Sequence, residues 1–348
     1  MKKKPADLLQ LLSDFFTIYL PAVRGVSHNT IESYQYAFLL LFEFMSDIEG
    51  IPPEKVKFEN LTGGSVIRYL DWLEASRRCS TKTRNQRRAA IASFAKYSLK
   101  VAFSESVSFS SEVFEIPKKK APKDNTIKYF TKEEIAILLS LPNTKSSIGR
   151  RNAVLLSVLY SSGARAQEIC DLTVNDITFG KQAILRLLGK GCKMRSVTIP
   201  ENCAYLLKKY LESKNLLVAD KEVRARHVFS SQTHEQMTIS CVEEIVKKYV
   251  KQAKAGHPDK YCSRSYSPHS LRHSIAVHML ECGISLPVIQ AFLGHETISS
   301  TIIYASVTPE LANKYLKNRD VQLDGSVNEI DDRKISVRLP FLGGVKKY

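Results

Sequence analysis

A chain of 348 residues that is 44% hydrophobic and 25% charged can bury enough apolar surface for two packed domains, which excludes a disordered or fibrous polymer. Its 51 Lys and Arg against 35 Asp and Glu leave a formal charge of +16, a balance that fits a polyanionic partner because each neutralised phosphate releases counterions. No run nears the ~18 to 20 uninterrupted apolar residues of a membrane span. The opening MKKKPAD leads into an acid-containing helix, so a cytoplasmic chain with no membrane partner is expected.

The first helix is expected over residues 6–20, through Leu8, Leu9, Leu12, Phe15, Phe16 and Tyr19, with Pro21 ending it. In the second, Asn29 takes the N-cap and Glu32 the capping-box position, and Ile31, Tyr34, Phe38, Leu41, Phe42 and Met45 share one face. Residues 63–76 supply a third through Val66, Ile67, Leu70 and Leu73. A fourth starts at Ser80: Lys82, Arg84, Arg87 and Arg88 crowd its exposed first turns, and Ile91, Phe94, Ala95 and Leu99 pack its later ones. The i, i+3, i+4 spacing of Arg84, Arg87 and Arg88 puts three guanidiniums on one side, suited to track a phosphate backbone or simply to stay solvated. These residues and Lys82 are the candidate DNA-binding positions. Residues 103–129 are rich in Ser, Lys and Pro with little periodicity, and the linker is placed at 119–130.

Beyond it, Thr131 with Glu134 forms a capping box ahead of Ile135, Leu138 and Leu139. A helix at about 150–162 is stopped by Gly163. Strands at 183–188 and 195–200 flank Gly189, Lys190, Gly191, Cys192 and Lys193, which sets a lysine at a hairpin tip. Helices follow at about 202–212, 240–254, 268–282, 286–293, 298–304 and 309–317, and a charged, weakly alternating tail fills 319–348. The expected fold is mainly α with a small antiparallel β-sheet in the second domain. The seven cysteines are odd in number and form no C-x-x-C pair, which points away from a disulfide framework and a zinc ribbon.

Three stretches carry candidate chemistry. In "SPHSLRHSIAVHML", Ser267 and Pro268 open a helix, so His269 and Arg272 stand at i and i+3 where free backbone N–H groups and the helix dipole favour an anion. The competing readings are a capped structural helix and a metal site. His269 and His273 have the i, i+4 spacing of zinc ligands, but the Glu of H-E-x-x-H is Ser270 and no third ligand is evident. In "PVIQAFLGHETISSTIIYASVTPE", His295 follows the helix-ending Gly294, and Tyr304 reads by itself as a packed aromatic. In "SSGARAQEICDLTVNDI", Arg165 follows Gly163, with Glu168 at i+3 to orient it or merely to pair at the surface.

In order and spacing these pieces resemble the tyrosine recombinase, or phage-integrase-type, family of site-specific DNA recombinases. Its G-x-R-x-x-E box matches Gly163, Arg165 and Glu168; its hairpin-turn lysine matches Lys190, with Lys193 as an alternative; H-x-x-R matches His269 and Arg272; L-G-H matches Leu293 to His295; and its tyrosine nucleophile matches Tyr304. The resemblance spans most of the chain and is nearest to compact two-domain bacterial members, Xer-like recombinases and mobile-element transposases among them. It implies a helical core-binding (SAM-like) DNA-binding domain at 1–118, a catalytic domain at 131–318, and docking on a neighbouring protomer by the tail or by the 309–317 helix with Leu311, Tyr315 and Leu316. It also implies Arg165, Lys190, His269, Arg272, His295 and Tyr304 as catalytic residues with Glu168 in support, and a 3′-phosphotyrosyl intermediate formed without metal, ATP or other cofactor. The implied partners are double-stranded DNA and further copies of the chain, a dimer on each site and a tetramer in the synapse. A catalytically idle DNA-binding regulator, a type IB topoisomerase-like relaxing activity and a metal-dependent nuclease are the alternatives. Departures are modest: Ala164 stands where a larger residue is common, and the tail is long.

Overall fold

A computed structural model describes residues 7–120, 127–189, 191, 193–261 and 266–305. The chain forms two compact units, residues 1–124 and 125–348. Lys190, Cys192, the segment expected at 309–317 and the tail 319–348 lie outside the described residues, as does much of the expected linker.

The first unit is helical. Helix α1 (Leu8–Asp14) is capped by Asp7 and runs on as a π-helical stretch, Phe15–Val23, with Pro21 inside it. Pro21 therefore does not end the helix as expected. A widened turn gives the pyrrolidine ring room where an α-turn would press it on the carbonyl four residues back. Helix α2 (His28–Asp47) is capped one residue pair earlier than expected, by Ser27, not Asn29; the hydroxyls of Ser27 and Thr30 lie 3.0 Å apart. Helix α3 (Gly63–Ala75) starts from Thr62, whose hydroxyl accepts from the Ser65 N–H. Helix α4 (Thr81–Val101) starts from Ser80 as the sequence indicates.

Residues 103–115, where the sequence showed little periodicity, form helix α5 (Phe103–Glu115). Its inward positions include Ser106 and Ser110, which hide the apolar period. Their hydroxyls donate to the Ala102 and Ala95 carbonyls, so they are buried without an orphaned polar group. Glu112 of α5 accepts from the Gly63 N–H at the start of α3, a carboxylate on a positive helix end. The core between these helices is aromatic, with Phe15, Phe38, Phe58, Phe94 and Phe109 packed edge to face or offset.

In the second unit, helix α6 (Lys132–Ser140) has the expected Thr131–Glu134 capping box. Helix α7 (Ser147–Ser162) has a mostly exposed first turn and is buried continuously from Asn152 to Leu159, with α6 among its neighbours. The short α8 (Ala166–Cys170) follows, then β1 (Ile177–Thr178), β2 (Ala183–Leu188) and β3 (Met194–Ile199) in one antiparallel sheet of order β1-β2-β3. The two-residue β1 is too short for a period-2 signal and was not expected. Leu185 pairs with Val197 and Leu187 with Arg195, so an arginine occupies a core-facing register position of β3. Helices α9 (Glu201–Ser213), α10 (Lys221–Arg224), α11 (Ile239–Gly256), α12 (Pro268–Glu281), α13 (Leu286–Leu293) and α14 (Ser299–Ala305) complete the unit. No described helix is long and apolar enough to cross a membrane.

Candidate active site

Two left-handed glycines place the site. Gly163 ends α7 at φ +57°, and a Cβ there would sit 2.9 Å from Leu293 Cδ2, so glycine serves both the turn and the close approach of α13. Gly294 ends α13 at φ +65°. Its N–H bonds the Ala291 carbonyl and the His295 N–H bonds the Gln290 carbonyl, the paired bonds of a Schellman motif. That motif presents His295 just past the helix end.

Arg165 is the N-cap of α8, and its backbone N–H and Nη1 both donate to Glu168, each at 2.8 Å. Glu168 is 4% exposed and also holds Arg195, whose Nη1 and Nη2 donate to its two oxygens at 2.7 Å. Burial pushes the Glu168 carboxyl up, but the bonds and charge of Arg195 and the bonds from Arg165 outweigh it and hold the group below its ordinary value. Arg195 also donates from Nε to the Phe292 carbonyl. Arg272, 3% exposed, donates from Nη1 to the Gly163 carbonyl and from Nη2 to the Leu293 carbonyl, both at 2.6 Å. Burial, then the charge of Arg165, pushes its guanidinium down to about 10, so it remains a cation at neutral pH.

The start of α12 is anchored by Tyr266, which stacks on Phe130 at 4.0 Å and donates to Glu134, and by Ser270, whose hydroxyl accepts from the Ser267 N–H. His269 is exposed there, held below its usual value first by desolvation and then by Arg272 and Arg165. On α14, Thr301 and Tyr304 share the inward face. Thr301 Oγ1 lies 2.9 Å from His295 Nδ1, and the Tyr304 hydroxyl lies 3.0 Å from His273 Nδ1. Burial, then nearby cations and imidazoles, pushes both His273 and His295 down to about 4, so both rings are neutral at pH 7. Tyr304 is 1% exposed, and burial raises its phenol despite the opposing charges of Arg272 and Arg165.

The second unit thus gathers Arg165, Glu168, Arg272, His295 and Tyr304 around the junction of α7, α12, α13 and α14, with His269 at its exposed edge. A cleft of about 430 Å³ is lined by Arg165, Gly189, Lys193, Arg195, Gly294 and His295, among others. Lys193, the alternative hairpin lysine, is exposed there and pairs with Glu296 at 3.1 Å. Lys190 lies outside the described residues. Arg195 and His273 were missed in the sequence. A charge at a core-facing strand position was the signal for Arg195; His273 was weighed only as a metal ligand.

The basic head of α4 differs from the expectation of an exposed stretch. Arg84 is 7% exposed, within 3.4 Å of Glu74 and 3.7 Å of Asp71. Arg87 donates to the Ser33 carbonyl and lies 5.0 Å over the Tyr36 ring, and Arg88 donates to the Ile116 carbonyl. Lys82 is exposed. The apolar stems and fixed donors of arginine let helix packing absorb three of the four cations.

The model of the Phage integrase family matches residues 128–310, and that of the Phage integrase N-terminal SAM-like domain matches 14–100. The tyrosine recombinase XerD of Halalkalibacterium halodurans is 32% identical over 287 residues, covering 82% of this chain and 89% of that protein. Two solved structures of the XerH site-specific recombinase, a pre-cleavage complex bound to difH substrate and a post-cleavage complex bound to palindromic difH substrate, superpose with TM-scores of 0.63 and 0.65. At 20% and 18% identity they cover 87% and 91% of this chain, with 87% and 90% of theirs, and they bear on the fold. With its fold, its G-x-R-x-x-E, H-x-x-R and L-G-H elements and these relatives together, the chain belongs to the phage integrase family of tyrosine recombinases, enzymes of site-specific recombination.

Proposed function

We propose that this protein cuts and rejoins double-stranded DNA at two sites through a covalent phosphotyrosyl intermediate, conserving the energy of each broken ester. The observation that carries the reading is the convergence of Arg165, Arg272, His295 and the Tyr304 phenol, from three separate stretches of sequence, within one unit. Tyr304 Oη attacks the phosphorus, the Oη–P bond forms, and the P–O5′ bond breaks. Arg165 and Arg272 stabilise the charge that builds on the non-bridging oxygens, each donor being worth roughly 3 kcal/mol. The Nη groups of Arg272 each use one N–H on a backbone carbonyl, which fixes their aim and leaves a second N–H on each.

The phenol proton passes to imidazole. His273 is within hydrogen-bond reach of it before DNA binds, and His269 at the start of α12 takes it once Tyr304 turns toward the phosphate. Where Nδ1 of the neutral His295 ring accepts from the Thr301 hydroxyl 2.9 Å away, the ring proton stands on Nε2, which donates it to the phosphate. Lys190 supplies the proton that leaves with the 5′-oxygen. A 5′-hydroxyl of the second duplex then attacks the phosphotyrosine, releasing Tyr304. The burial of Tyr304 means that α14 must shift before attack, which keeps the DNA-free enzyme inert toward water and stray esters.

The helical first unit and the second unit both hold the duplex, with Lys82 contributing to phosphate contacts. A dimer on each site and a tetramer in the synapse, in the cytoplasm, complete the reading, and residues 319–348 dock on a neighbouring copy. The test is a nicked suicide duplex, selected by the protein from a random pool, incubated with the enzyme in EDTA. Wild type should give a covalent protein–DNA band and Tyr304→Phe none; absence of the band with wild type on every selected duplex overturns the reading.

A further inference from the structure

Arg195 lies in no motif that points to catalysis, yet each nitrogen of its guanidinium is engaged inside the site. Nη1 and Nη2 meet the two oxygens of Glu168, and Nε meets the Phe292 carbonyl at 3.1 Å. We propose that Arg195 is a positioning residue for strand cleavage: it neutralises Glu168 so that Arg165 stays available to the scissile phosphate, and it fixes the end of α13 from which His295 projects. This rests on the strand-cleavage reading above.

The electrostatics of Glu168 give the first half. Its carboxylate accepts four hydrogen bonds, Oε1 from Nη1 of Arg165 and of Arg195, and Oε2 from the Arg165 backbone N–H and from Arg195 Nη2. A carboxylate this deeply buried must be matched by positive charge. Arg195 matches it through a two-pronged pair, the strong geometry for a guanidinium and a carboxylate, and its side chain is 10% exposed. Arg165 touches Glu168 through Nη1 alone and its side chain is 31% exposed, at the cleft it shares with His295. Without Arg195, Glu168 would draw the Arg165 guanidinium inward as its remaining charged partner, away from a phosphate in the cleft.

The geometry of α13 gives the second half. A helix leaves its last carbonyls without partners, and here two consecutive ones are met by arginines of different elements, Phe292 by Arg195 of β3 and Leu293 by Arg272 of α12. Gly294 follows at once, and a Cβ on it would lie 2.9 Å from Arg195 Cδ. The glycine therefore also makes room for the Arg195 stem. Arg195 thus ties the β2–β3 hairpin, the Arg165 turn and the His295 turn to a single guanidinium.

The test compares wild type, Arg195→Gln and Arg195→Lys in single-turnover cleavage of a selected suicide duplex, with duplex affinity measured alongside. A second duplex carries a methylphosphonate at the scissile position, which removes the oxyanion that Arg165 would meet. Arg195→Gln should bind with unchanged affinity, cleave the phosphodiester about 10- to 100-fold more slowly, the usual cost of a misplaced catalytic group, and recover most of that loss on the methylphosphonate. Arg195→Lys should fall between the two enzymes and carries the test alone if the Gln variant does not fold. Cleavage equal to wild type, an equal deficit on both duplexes, or a defect confined to DNA affinity overturns the positioning role. Failure of wild type to form any adduct defeats the cleavage reading instead.

Discussion

The arginines at the head of α4 and those around Glu168 are the same residue type on comparable turns of helix and strand, yet they leave their guanidiniums in different states. At α4, Arg84 is enclosed beside Glu74 and Asp71, and Arg87 and Arg88 are tied to backbone carbonyls of their own unit. Around Glu168, one buried carboxylate and three backbone carbonyls hold Arg165, Arg195 and Arg272 so that Arg165 keeps a face on an open cleft. The lesson is that spacing says which cations share a face, whereas the supply of acceptors around them says which remain available to a ligand.

The largest expected effect breaks this contrast most directly. Arg165→Ala should slow cleavage of a suicide duplex by about 10²- to 10³-fold, the usual cost of one preorganised charge donor. Arg84→Met should change the same rate and the duplex affinity less than about twofold and cost roughly 1 kcal/mol of stability, because Asp71 is largely exposed and Glu74 keeps Lys119 as a partner, so no carboxylate is left buried and unpaired. A large affinity loss in Arg84→Met with unchanged melting would return Arg84 to the interface.

A smaller effect appears in pH. Folded His273 and His295 take up protons near pH 4, whereas unfolded histidines do so near 6.5. The unfolded chain therefore binds more protons between those values, so the stability these rings contribute is complete above about pH 6.5 and is lost as pH falls toward 4. Glu168, held below its ordinary value, adds a loss of the same sign further into acid. Thermal melts from pH 7 to 4.5 should fall steadily, and His273→Gln should flatten the curve; a variant curve parallel to wild type would remove His273 as its source.

The smallest effect sharpens the reading of α4. Lys82 is the exposed cation of its first turns, so Lys82→Ala should lower duplex affinity about equally across sequences and reduce the slope of log affinity against log salt by roughly 1. Melting temperature should not move. An unchanged slope takes Lys82 off the phosphate backbone.

Much of this was legible in residues whose partners are close in sequence. Ser80, the Thr131–Glu134 box, Gly163 and Gly294 mark helix ends because a cap is satisfied within four or five residues. The motifs naming Arg165, Glu168, His269, Arg272, His295 and Tyr304 were legible for the same reason of order and spacing. Helix α5 was not, because serines that bond carbonyls of α4 and its C-cap read as solvent-facing polarity. Pro21 misled because a π-turn removes the clash that would end an α-helix.

By itself, the sequence determined where the helices cap, which strands pair across the hairpin and which residue types the site holds, since each depends on hydrogen bonds and periodicities a few residues long. The tertiary structure alone decided that Glu168 answers to two arginines, that the phenol of Tyr304 lies buried against His273, and that Arg84 belongs to the core. Those outcomes turn on which distant groups share one low-dielectric space, and the strength of a charge or hydrogen bond is set there by neighbours that local order does not specify.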